Sequence, residues 1–527
     1  MAIGQKIMKL RTKQGLSQEE LAEKLDVSRQ TISKWELDQA LPQMDKIIFL
    51  ARFFGISTDE LMIDEIEVDD KKVKATSGKY FGTDGFRGEA NIDLTSMHAY
   101  KVGRFIGWYY SQKSLTKRAR VVIGKDTRLS SYMLEYSIAA GIAASGADVY
   151  LLHVSTTPSV SYVTCQEEFD CGVMITASHN PYYDNGIKII NRFGEKLDDD
   201  TTALIEAYID GDLDEIPFAK KDKIGSITDY ISGRNRYIGY LISLASNSYK
   251  NLRIGLDCAN GASWNIARTV FDALGAQLYV VGAEPNGLNV NDQCGSTHIE
   301  NLVKLVKENH LDVGFAFDGD ADRCIAVDEK GNIVDGDKII YILANRLKRR
   351  GMLSEDTVVA TIMSNSGFIN SLAELGIKCI QTSVGDRFVY ECMQNSDYAL
   401  GGEQSGHIII KKYATTGDGI LTAIMLAEEM CDQKSSLSTL SKKIKLYPQY
   451  TKNVKVKNKD LALSDKNVLT EFEAVKEAIN GRGRILLRKS GTEPVIRIMI
   501  ECEEYEKCVE YAERIALAVE NGGHKID

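Results

Sequence analysis

From residue 79 onward, short apolar runs alternate with longer helix-type segments, and the pattern occurs three times. Each copy predicts the order strand, helix, strand, helix, strand. The predicted strands are 121–123, 149–152 and 172–176, then 253–257, 277–281 and 312–317, and finally 357–361, 378–382 and 398–400. Such alternation indicates parallel sheets with crossover helices, and therefore an α/β fold.

The stretch after residue 447 has a different order, with strands predicted at 451–457, 484–488 and 495–501 and helices at 464–480 and 503–520. Two strands that follow each other without a crossover helix indicate an antiparallel sheet. We therefore predict three mixed α/β domains, at residues 79–230, 231–332 and 333–447, and a smaller C-terminal α+β domain at residues 448–527.

Composition and charge exclude several classes of function. A formal net charge of -10 argues against broad electrostatic binding to nucleic acid, although a local basic patch remains open. The ten cysteines lack paired CxxC spacing, so neither a disulfide framework nor a zinc site is indicated. No apolar stretch reaches membrane-spanning length, and no secretory signal is visible. We expect a cytoplasmic protein without membrane contacts.

Residues 1–65 predict a compact all-helical unit. Ser17 and Glu20 have capping-box spacing, and Ser28 is an N-cap candidate for a second short helix over residues 29–36. Two short helices across a tight turn make a helix-turn-helix, and the segment resembles the DNA-binding domain of Cro-like phage repressors. That resemblance implies that the following side chains face DNA: Gln18, Arg29, Gln30, Thr31, Ser33 and Lys34.

The charge of this unit limits the DNA-binding expectation. Residues 1–34 contain seven basic and four acidic side chains, so one copy offers a small phosphate-binding surface. Useful affinity for DNA requires two copies, which makes a homodimer an expected state of the protein. A helical module that contacts proteins remains the alternative. Residues 66–78 are charged and lack apolar periodicity, so we predict a linker there.

The first polar loop contains Ser178, which follows the predicted strand 172–176. Its position just past the carboxyl end of a buried strand is where open α/β sheets bind ligands. The alternative is a turn serine that only satisfies the backbone. A Ser-His dyad hydrolase is not expected, because the adjacent side chains of Ser178 and His179 should project differently.

The second polar loop carries Asp318, Asp320 and Asp322, followed by Arg323. Carboxylates at alternate positions of an extended backbone point to one side and can converge on one hard cation. A calcium-binding EF-hand has the same spacing, but Arg323 stands where that loop needs glycine, and the flanks predict strands. Three carboxylates beside an arginine suit Mg²⁺ that also engages a phosphate oxygen.

Two more loops complete the set. In a glycine-rich third loop, Glu403, Ser405 and His407 occupy alternate positions, which suits a polyhydroxylated ligand. The fourth loop predicts a phosphate cradle that consists of Arg488, Ser490, Gly491, Thr492 and Arg497.

Arg87 and Arg128 are further candidates for contacts with phosphate or phosphoserine. The equal alternative is that each arginine forms a structural ion pair with a nearby aspartate, Asp84 or Asp126.

Together these loops resemble the α-D-phosphohexomutases, over residues 79–527. The motifs that carry the resemblance are Gly82–Gly88, Thr176–Pro181, Asp318–Arg323, Gly401–His407 and Arg488–Pro494. Gln404, Val384–Arg387 and Thr415–Gly419 look like the glucosamine branch of the family, because the phosphomannomutase/phosphoglucomutase branch usually has methionine at the position of Gln404. The helix-turn-helix is a departure from the family, which normally begins near Gly82.

The resemblance implies an isomerase that interconverts glucosamine 6-phosphate and glucosamine 1-phosphate through a phosphoserine at Ser178. It implies a hexose 1,6-bisphosphate as intermediate and activator, and one Mg²⁺ held by phosphorylated Ser178 with Asp318, Asp320 and Asp322. Lys188 and His407 are the implied acid/base pair, and Arg87 and His179 join the catalytic set. The implied substrate-binding residues are Arg323, Glu403 and Ser405 for the sugar and Arg488, Ser490, Gly491, Thr492 and Arg497 for the non-reacting phosphate.

Two alternatives stay open at this point. The same chemistry on mannose or glucose phosphates needs only a few different loop contacts. A sugar-phosphate-sensing transcription regulator would use the mutase body mainly as a sensor. Degenerate sensors commonly lose a nucleophile or a metal ligand, whereas Ser178 and the three aspartates are intact, and this favours an active enzyme.

Overall fold

The computed structural model describes residues 3–13, 18–25, 27–36, 42, 46–47, 50, 78–82, 84–114, 118–479, 483–489 and 495–525. The chain divides into two compact units, Met1–Thr76 and Ser77–Asp527. The predicted linker, residues 66–78, lies outside the described residues except for Gly78. Within the described part of the chain, no helix combines the length and the apolar composition needed to cross a bilayer.

The first unit has three described helices, α1 (Ile3–Lys13), α2 (Gln18–Leu25) and α3 (Arg29–Glu36). Its core includes buried Ile7, Leu21 and Ile32, one from each helix. The hydroxyl of Ser28 accepts the backbone N–H of Thr31 at 3.2 Å, which caps the start of α3 as predicted. Ser17, the other capping candidate, lies outside the described residues. The all-helical prediction is confirmed for the described part of this unit.

The second unit begins with a seven-stranded sheet in the order β1-β2-β6-β5-β3-β4-β7. Its strands are β1 (Phe81–Gly82), β2 (Gly85–Glu89), β3 (Arg120–Lys125), β4 (Asp148–Val154), β5 (Cys171–Ile175), β6 (Asp184–Asn191) and β7 (Ile227–Asp229). Its helices are α4 (Ser96–Lys113), α5 (Ser131–Ala144), α6 (Thr157–Gln166) and α7 (Asp199–Asp210). β3 is parallel to β4 and β5, and β6 returns antiparallel to β5. Every residue of β5 is buried, as its apolar run predicts.

A second sheet follows α8 (Ile231–Ser243), with five strands in the order β12-β11-β10-β8-β9. The strands are β8 (Arg253–Asp257), β9 (Gln277–Val281), β10 (Val313–Phe317), β11 (Cys324–Asp328) and β12 (Ile333–Val334), with helices α9 (Ser263–Ala273) and α10 (Glu300–Glu308). β8, β9 and β10 are parallel, and β11 is antiparallel to β10. The turn between β10 and β11 therefore lies at the carboxyl end of a central parallel strand.

The third sheet has four strands in the order β14-β13-β15-β16. They are β13 (Thr357–Thr361), β14 (Lys378–Thr382), β15 (Leu400–Gly402) and β16 (Ile408–Ile410). The helices are α11 (Gly336–Arg349), α12 (Ser366–Glu374), α13 (Asp386–Asn395), α14 (Gly419–Gln433) and α15 (Leu437–Ser441). The strand predicted at 398–400 lies two residues later than expected. Gly401 and Gly402 therefore belong to β15, where they pair with β16, and are not part of the loop.

The last sheet is antiparallel, in the order β17-β19-β18, with β17 (Gln449–Lys455), β18 (Gly483–Lys489) and β19 (Val495–Cys502). Three helices accompany it, α16 (Lys459–Ser464), α17 (Lys466–Ile479) and α18 (Tyr505–Asn521). Buried Ile498 and Ile500 of β19 share a core with Ile515 of α18. Three sheets in α/β arrangements and one C-terminal sheet in an α+β arrangement confirm the predicted fold class.

Candidate active site

Ser178 lies three residues beyond β5 and is almost completely buried, with an exposure of 1 %. Its backbone has φ +52°, a left-handed conformation that residues other than glycine rarely adopt. Its N–H donates to the hydroxyl of Thr176 at 2.9 Å. Its Oγ donates to Asp318 Oδ2 at 2.6 Å, across 140 positions of sequence. The first and second predicted loops therefore meet at this hydrogen bond.

Asp318, Asp320 and Asp322 form a cluster whose ligand oxygens all lie within 4.8 Å of one another. The segment is a turn with Ala321 at φ +56°, and the prediction of an extended backbone is wrong. The physical reason is spacing, because alternate residues of a strand are about 6.6 Å apart. Convergence of three carboxylates on one point therefore requires a turn.

Three buried carboxylates this close together require positive charge to balance them. Burial raises the pKa of Asp318 well above its usual range, and the neighbouring carboxylates of Asp322 and Asp320 add to the effect. Burial also acts to raise the pKa of Asp322, but Lys188, His407 and Arg323 together outweigh it and hold that pKa well below its usual range. Asp320 Oδ1 and Asp322 Oδ1 are buried and have no hydrogen-bond partner among the described residues. Unpaired oxygens in a triple-carboxylate turn fit a hard divalent cation.

Lys188 projects from β6 into this turn. Its Nζ lies 2.9 Å from Asp320 Oδ2 and 3.1 Å from Asp322 Oδ2. Asp84 Oδ2 lies 3.4 Å away on the other side. Burial lowers the pKa of Lys188, but these carboxylates outweigh it and hold the pKa well above its usual range. Lys188 is thus positioned as the buried counter-charge of the acidic turn.

His407 approaches the same turn from the third sheet. Its Nδ1 lies 3.7 Å from Asp322 Oδ1, and its Nε2 accepts the backbone N–H of Gly417 at 3.0 Å. The Gly417 donor requires a lone pair on Nε2, so the proton of the neutral ring is on Nδ1, facing Asp322. Burial opposes protonation of the ring, yet Asp322 and Asp386 raise the pKa of His407 to about 9, so a proton competes with the Gly417 N–H for the lone pair of Nε2.

His179 adjoins Ser178, and the Arg87 guanidinium lies close enough to His179 to affect its pKa. His179 Nδ1 lies 3.3 Å from Ser178 Oγ, so the expectation that the two adjacent side chains project apart is wrong. The left-handed backbone at Ser178 turns the following residue toward it. Burial lowers the pKa of His179 to about 4, and the guanidinium groups of Arg323 and Arg87 contribute. Arg87 itself pairs with Asp84, as the ion-pair alternative holds.

Arg128 does not project toward a ligand site. Its Nε donates to Asp126 Oδ2 at 2.7 Å, and its remaining donors bind backbone carbonyls of the serine loop. The side chain is fully buried. Of the two interpretations of this residue, the structural ion pair is the one observed.

The predicted third loop, residues 401–407, lies directly beside the Asp318–Asp322 turn. Arg323 and His407 form an isolated antiparallel bridge, which joins the second loop to the third. Glu403 accepts the N–H of Gly385 at 3.1 Å, and Ser405 Oγ lies 3.4 Å from Glu403 Oε2. Ser405 is exposed and Glu403 half-buried, so both retain polar atoms for a ligand.

The fourth loop, which is predicted to bind phosphate, is only partly described. Arg488 of β18 and Arg497 of β19 are direct cross-strand partners in the antiparallel register. Like charges at such a pair repel, and an anion between them relieves the repulsion. Ser490, Gly491 and Thr492, the other predicted members of the cradle, lie outside the described residues.

Sequence analysis missed several residues that shape the site. Thr157 donates its hydroxyl to Asp320 Oδ2 at 2.5 Å and its backbone N–H to Asp320 O at 3.0 Å. Lys196 Nζ joins Asp84 Oδ1 and Asp386 Oδ1, each at 2.7 Å. The helix-start pattern Thr156-Thr157-Pro158 after a strand was a usable signal for Thr157. No local signal predicted the role of Lys196, because its partners are more than 100 residues away in the sequence.

The predicted DNA-facing side chains of the first unit differ in exposure. Arg29, Gln30 and Lys34 are exposed on α3, and Thr31 and Ser33 are half-buried. Gln18 is otherwise engaged, since its Nε2 donates to Glu36 Oε2 at 2.8 Å, where Arg11 Nη2 also donates at 3.1 Å. The exposed members of the predicted set therefore all lie on α3.

Four family models match this chain, in the same order along the sequence as the four sheets. Models of the phosphoglucomutase/phosphomannomutase family match as alpha/beta/alpha domain I at residues 78–215, domain II at 235–331, domain III at 335–447 and C-terminal domain at 452–518. A helix-turn-helix model matches residues 7–61.

Two curated relatives are named phosphoglucosamine mutase. The protein of Lachnospira eligens is 56% identical over 449 residues, which is 85% of this chain and 100% of the relative. The protein of Bacillus cytotoxicus is 48% identical over 438 residues, which is 83% of this chain and 97% of the relative.

Two solved structures share the fold. A phosphoglucomutase/phosphomannomutase family protein from Burkholderia thailandensis has a TM-score of 0.70 at 23% identity, covering 84% of this chain and 97% of that one. The N-acetylphosphoglucosamine mutase of Aspergillus fumigatus, solved with GlcNAc-6P and magnesium, has a TM-score of 0.59 at 16% identity, covering 84% of this chain and 96% of that one.

Proposed function

Because this chain belongs to the phosphoglucomutase/phosphomannomutase family and is a phosphohexomutase, we propose that it interconverts glucosamine 6-phosphate and glucosamine 1-phosphate. The choice of sugar is supported by the name of the relatives that share its full mutase length. The mechanism is supported above all by the 2.6 Å contact between Ser178 Oγ and Asp318. Domain boundaries at 79–230, 231–332, 333–447 and 448–527 are proposed with it. Among the described strands, only β12 (Ile333–Val334) lies beyond the boundary of the domain whose sheet it joins.

The acidic turn is proposed to hold one Mg²⁺ through Asp318, Asp320 and Asp322, together with a phosphate oxygen on Ser178. The fit is supported by the two unpaired buried oxygens of Asp320 and Asp322 in the described part of the chain. When bound, the cation neutralises charge on the transferring phosphoryl group.

Transfer is proposed to begin with a phosphate on Ser178. The O1 hydroxyl of glucosamine 6-phosphate attacks phosphorus and gives its proton to a base in the site, while the bond from phosphorus to Ser178 Oγ breaks and Oγ takes up a proton from an acid in the site. The product is a 1,6-bisphosphate, which also serves as the activator that first phosphorylates the enzyme. After it turns over, Ser178 Oγ gives up its proton and attacks the phosphorus on O6, the bond from phosphorus to O6 breaks, and O6 receives a proton.

Proton transfer is assigned to Lys188 and His407, which face the acidic turn from opposite sheets. Arg87 and His179 are assigned to the catalytic set, since His179 Nδ1 lies 3.3 Å from Ser178 Oγ and the Arg87 guanidinium pairs with Asp84, which also contacts Lys188. Arg323, Glu403 and Ser405 are proposed to bind the sugar, because they form one continuous edge next to the turn. The non-reacting phosphate is assigned to Arg488, Ser490, Gly491, Thr492 and Arg497.

The test is a coupled assay on glucosamine 6-phosphate with Mg²⁺ and a catalytic amount of glucose 1,6-bisphosphate. Wild type and Ser137→Ala should turn over, because Ser137 Oγ only donates to Met133 O on α5. Ser178→Ala should be inactive, and normal turnover by this variant contradicts the phosphoserine mechanism. Faster turnover of mannose or glucose phosphates would assign the protein to the alternative substrate branch.

The first unit is proposed to bind DNA as part of a homodimer. The observation in favour is the exposure of Arg29, Gln30 and Lys34 on one helix. We expect the full chain to shift its own promoter DNA in a salt-dependent manner, and Arg29→Ala with Gln30→Ala to abolish the shift. Glu19→Gln, an exposed change on α2, is the control. An unchanged shift in the double variant would favour the protein-contact alternative.

A further inference from the structure

We propose that Arg128 and Asn291 are positioning residues that hold the backbone of Ser178 in its left-handed conformation, one from the first sheet and one from the second. The inference rests on the function proposed above and deepens it. It concerns the loop that carries the reactive oxygen, not the groups that touch substrate.

The conformation of Ser178 needs an external restraint. At φ +52° the β-carbon of a non-glycine residue crowds its own backbone, so the isolated loop favours other conformations. The same conformation aims Oγ at Asp318. Any group that locks the loop therefore also sets the direction of the nucleophile.

Arg128 supplies four of the locking hydrogen bonds. Its Nη2 donates to Ser178 O at 2.9 Å and Asn180 O at 2.8 Å. Its Nη1 donates to Asp184 O at 3.0 Å and also to Pro181 O. A planar guanidinium is the side chain that can reach four carbonyls at once. All four acceptors lie between Ser178 and Asp184, the first residue of β6.

Asn291 repeats two of these contacts from another domain. Its Nδ2 donates to Ser178 O at 2.8 Å and to Asn180 O at 3.1 Å. Each of the two carbonyls thus accepts one bond from Arg128 and one from Asn291, which fills both lone pairs. Asn291 lies between β9 and α10, and its own N–H is tied to Ala259 O at 2.9 Å. The second sheet thereby takes part in aiming a serine that belongs to the first.

Asp126 links the hydrogen bonds at the N–H of Ser178 with those at its carbonyl. Its Oδ2 accepts Arg128 Nε at 2.7 Å and the hydroxyl of Thr176 at 2.7 Å. That hydroxyl in turn accepts the N–H of Ser178. One buried carboxylate therefore supports both the amide and the carbonyl of the same residue. These side chains are fully or nearly fully buried, so water does not compete for the bonds.

The functional consequence is that Ser178 Oγ stays aligned with the phosphorus atom it attacks. Phosphoryl transfer needs Oγ in line with phosphorus in two successive steps, and a displacement of about 1 Å costs on the order of 100-fold in rate. Neither Arg128 nor Asn291 is among the residues assigned to the sugar or its phosphates. Loss of either should lower kcat and leave KM nearly unchanged.

The experiment compares Arg128→Lys and Asn291→Ala with Arg104→Lys in the full chain. Arg104 of α4 is a matched control, since it is 2 % exposed and its guanidinium donates to Ser145 Oγ at 2.9 Å and to Ile216 O. The readouts are kcat, KM, thermal unfolding, and the rate at which glucose 1,6-bisphosphate adds phosphate to Ser178, followed by intact mass.

We expect kcat and the phosphorylation rate to fall about 10- to 100-fold in Arg128→Lys and Asn291→Ala, with KM within about twofold of wild type. Arg104→Lys should lose thermal stability and keep its kcat. Wild-type kcat in Asn291→Ala, or equal losses in all three variants, would overturn the proposal. If Arg128→Lys does not fold, Asn291→Ala decides alone, because it removes only two hydrogen bonds. Failure of the wild type to accept phosphate at Ser178 would instead contradict the proposed function.

Discussion

The ammonium of Lys188 lies 2.9 Å from Asp320 Oδ2, inside a turn that buries three carboxylates within 4.8 Å of each other. The lysine comes from the antiparallel strand β6 of the first sheet, and the carboxylates come from the turn that follows β10 of the second sheet. An acidic turn of this kind can be buried only because a cation from elsewhere in the chain balances it.

Replacement of Lys188 by methionine should therefore destabilise the protein most when Mg²⁺ is absent. Removing one partner of a buried ion pair costs about 3–5 kcal/mol, and a bound divalent cation supplies part of the missing charge. Thermal unfolding with and without a chelator measures both effects. Lys79→Met is the control, because Lys79 pairs with Asp210 at the surface. Equal melting temperatures for wild type and Lys188→Met in chelator would contradict this role.

Removal of Mg²⁺ should abolish mutase activity, and its return should restore it. Binding to the folded state alone should also stabilise the protein, by about 2.7 kcal/mol at one hundred times Kd. Asp320→Asn should lose most of this stabilisation. Asp328→Asn should keep it, because Asp328 is also buried but caps the turn at Lys330 and Asn332. Equal Mg²⁺ responses in the two variants would place the ion elsewhere.

Asp337 should make stability depend on pH. Burial raises the pKa of Asp337 from 3.8 to about 7. The folded protein therefore binds this proton more tightly than the unfolded chain does, and the contribution to stability is lost as pH rises from about 4 through 7. The loss is about 1.4 kcal/mol for each pKa unit of the shift.

Urea unfolding at pH 5 and pH 8 tests this dependence. Asp337→Asn mimics the protonated acid and keeps an oxygen for the N–H of Asn365, so its stability should change less between the two pH values. Asp312→Asn should retain the wild-type dependence, since Asp312 is a half-buried acceptor for Arg253 N–H. A wild-type pH response in Asp337→Asn would show that another group is responsible.

Gly417→Ala should impair catalysis through His407. A β-carbon at this position would lie 2.6 Å from Nε2 and Cε1 of His407 and 2.6 Å from Asp322 O, so the imidazole must move. We expect kcat to fall by roughly tenfold or more. Gly239→Ala is the matched control, because nothing lies within 4 Å of its added carbon on α8 and alanine stabilises a helix by about 1 kcal/mol. Unchanged kcat in Gly417→Ala would remove His407 from the reaction.

Local patterns were sufficient for most elements and insufficient for a few. The apolar run of β5 predicted a buried strand, and Ser28 predicted the start of α3. α14 was not predicted, because it is buried continuously from Gly419 to Met430 and so lacks the polar face that marks a helix period.

The sequence by itself determined the α/β layers and the four chemistry-bearing loops, because strand and helix periods and turn residues act over a few neighbouring positions. Only the tertiary structure decided that Ser178 reaches Asp318, that Asp318–Asp322 is a turn, and that Arg128 supports the serine loop instead of a phosphate. Those outcomes depend on side chains 50 to 140 positions apart. No local pattern records which distant group will satisfy a buried charge or carbonyl.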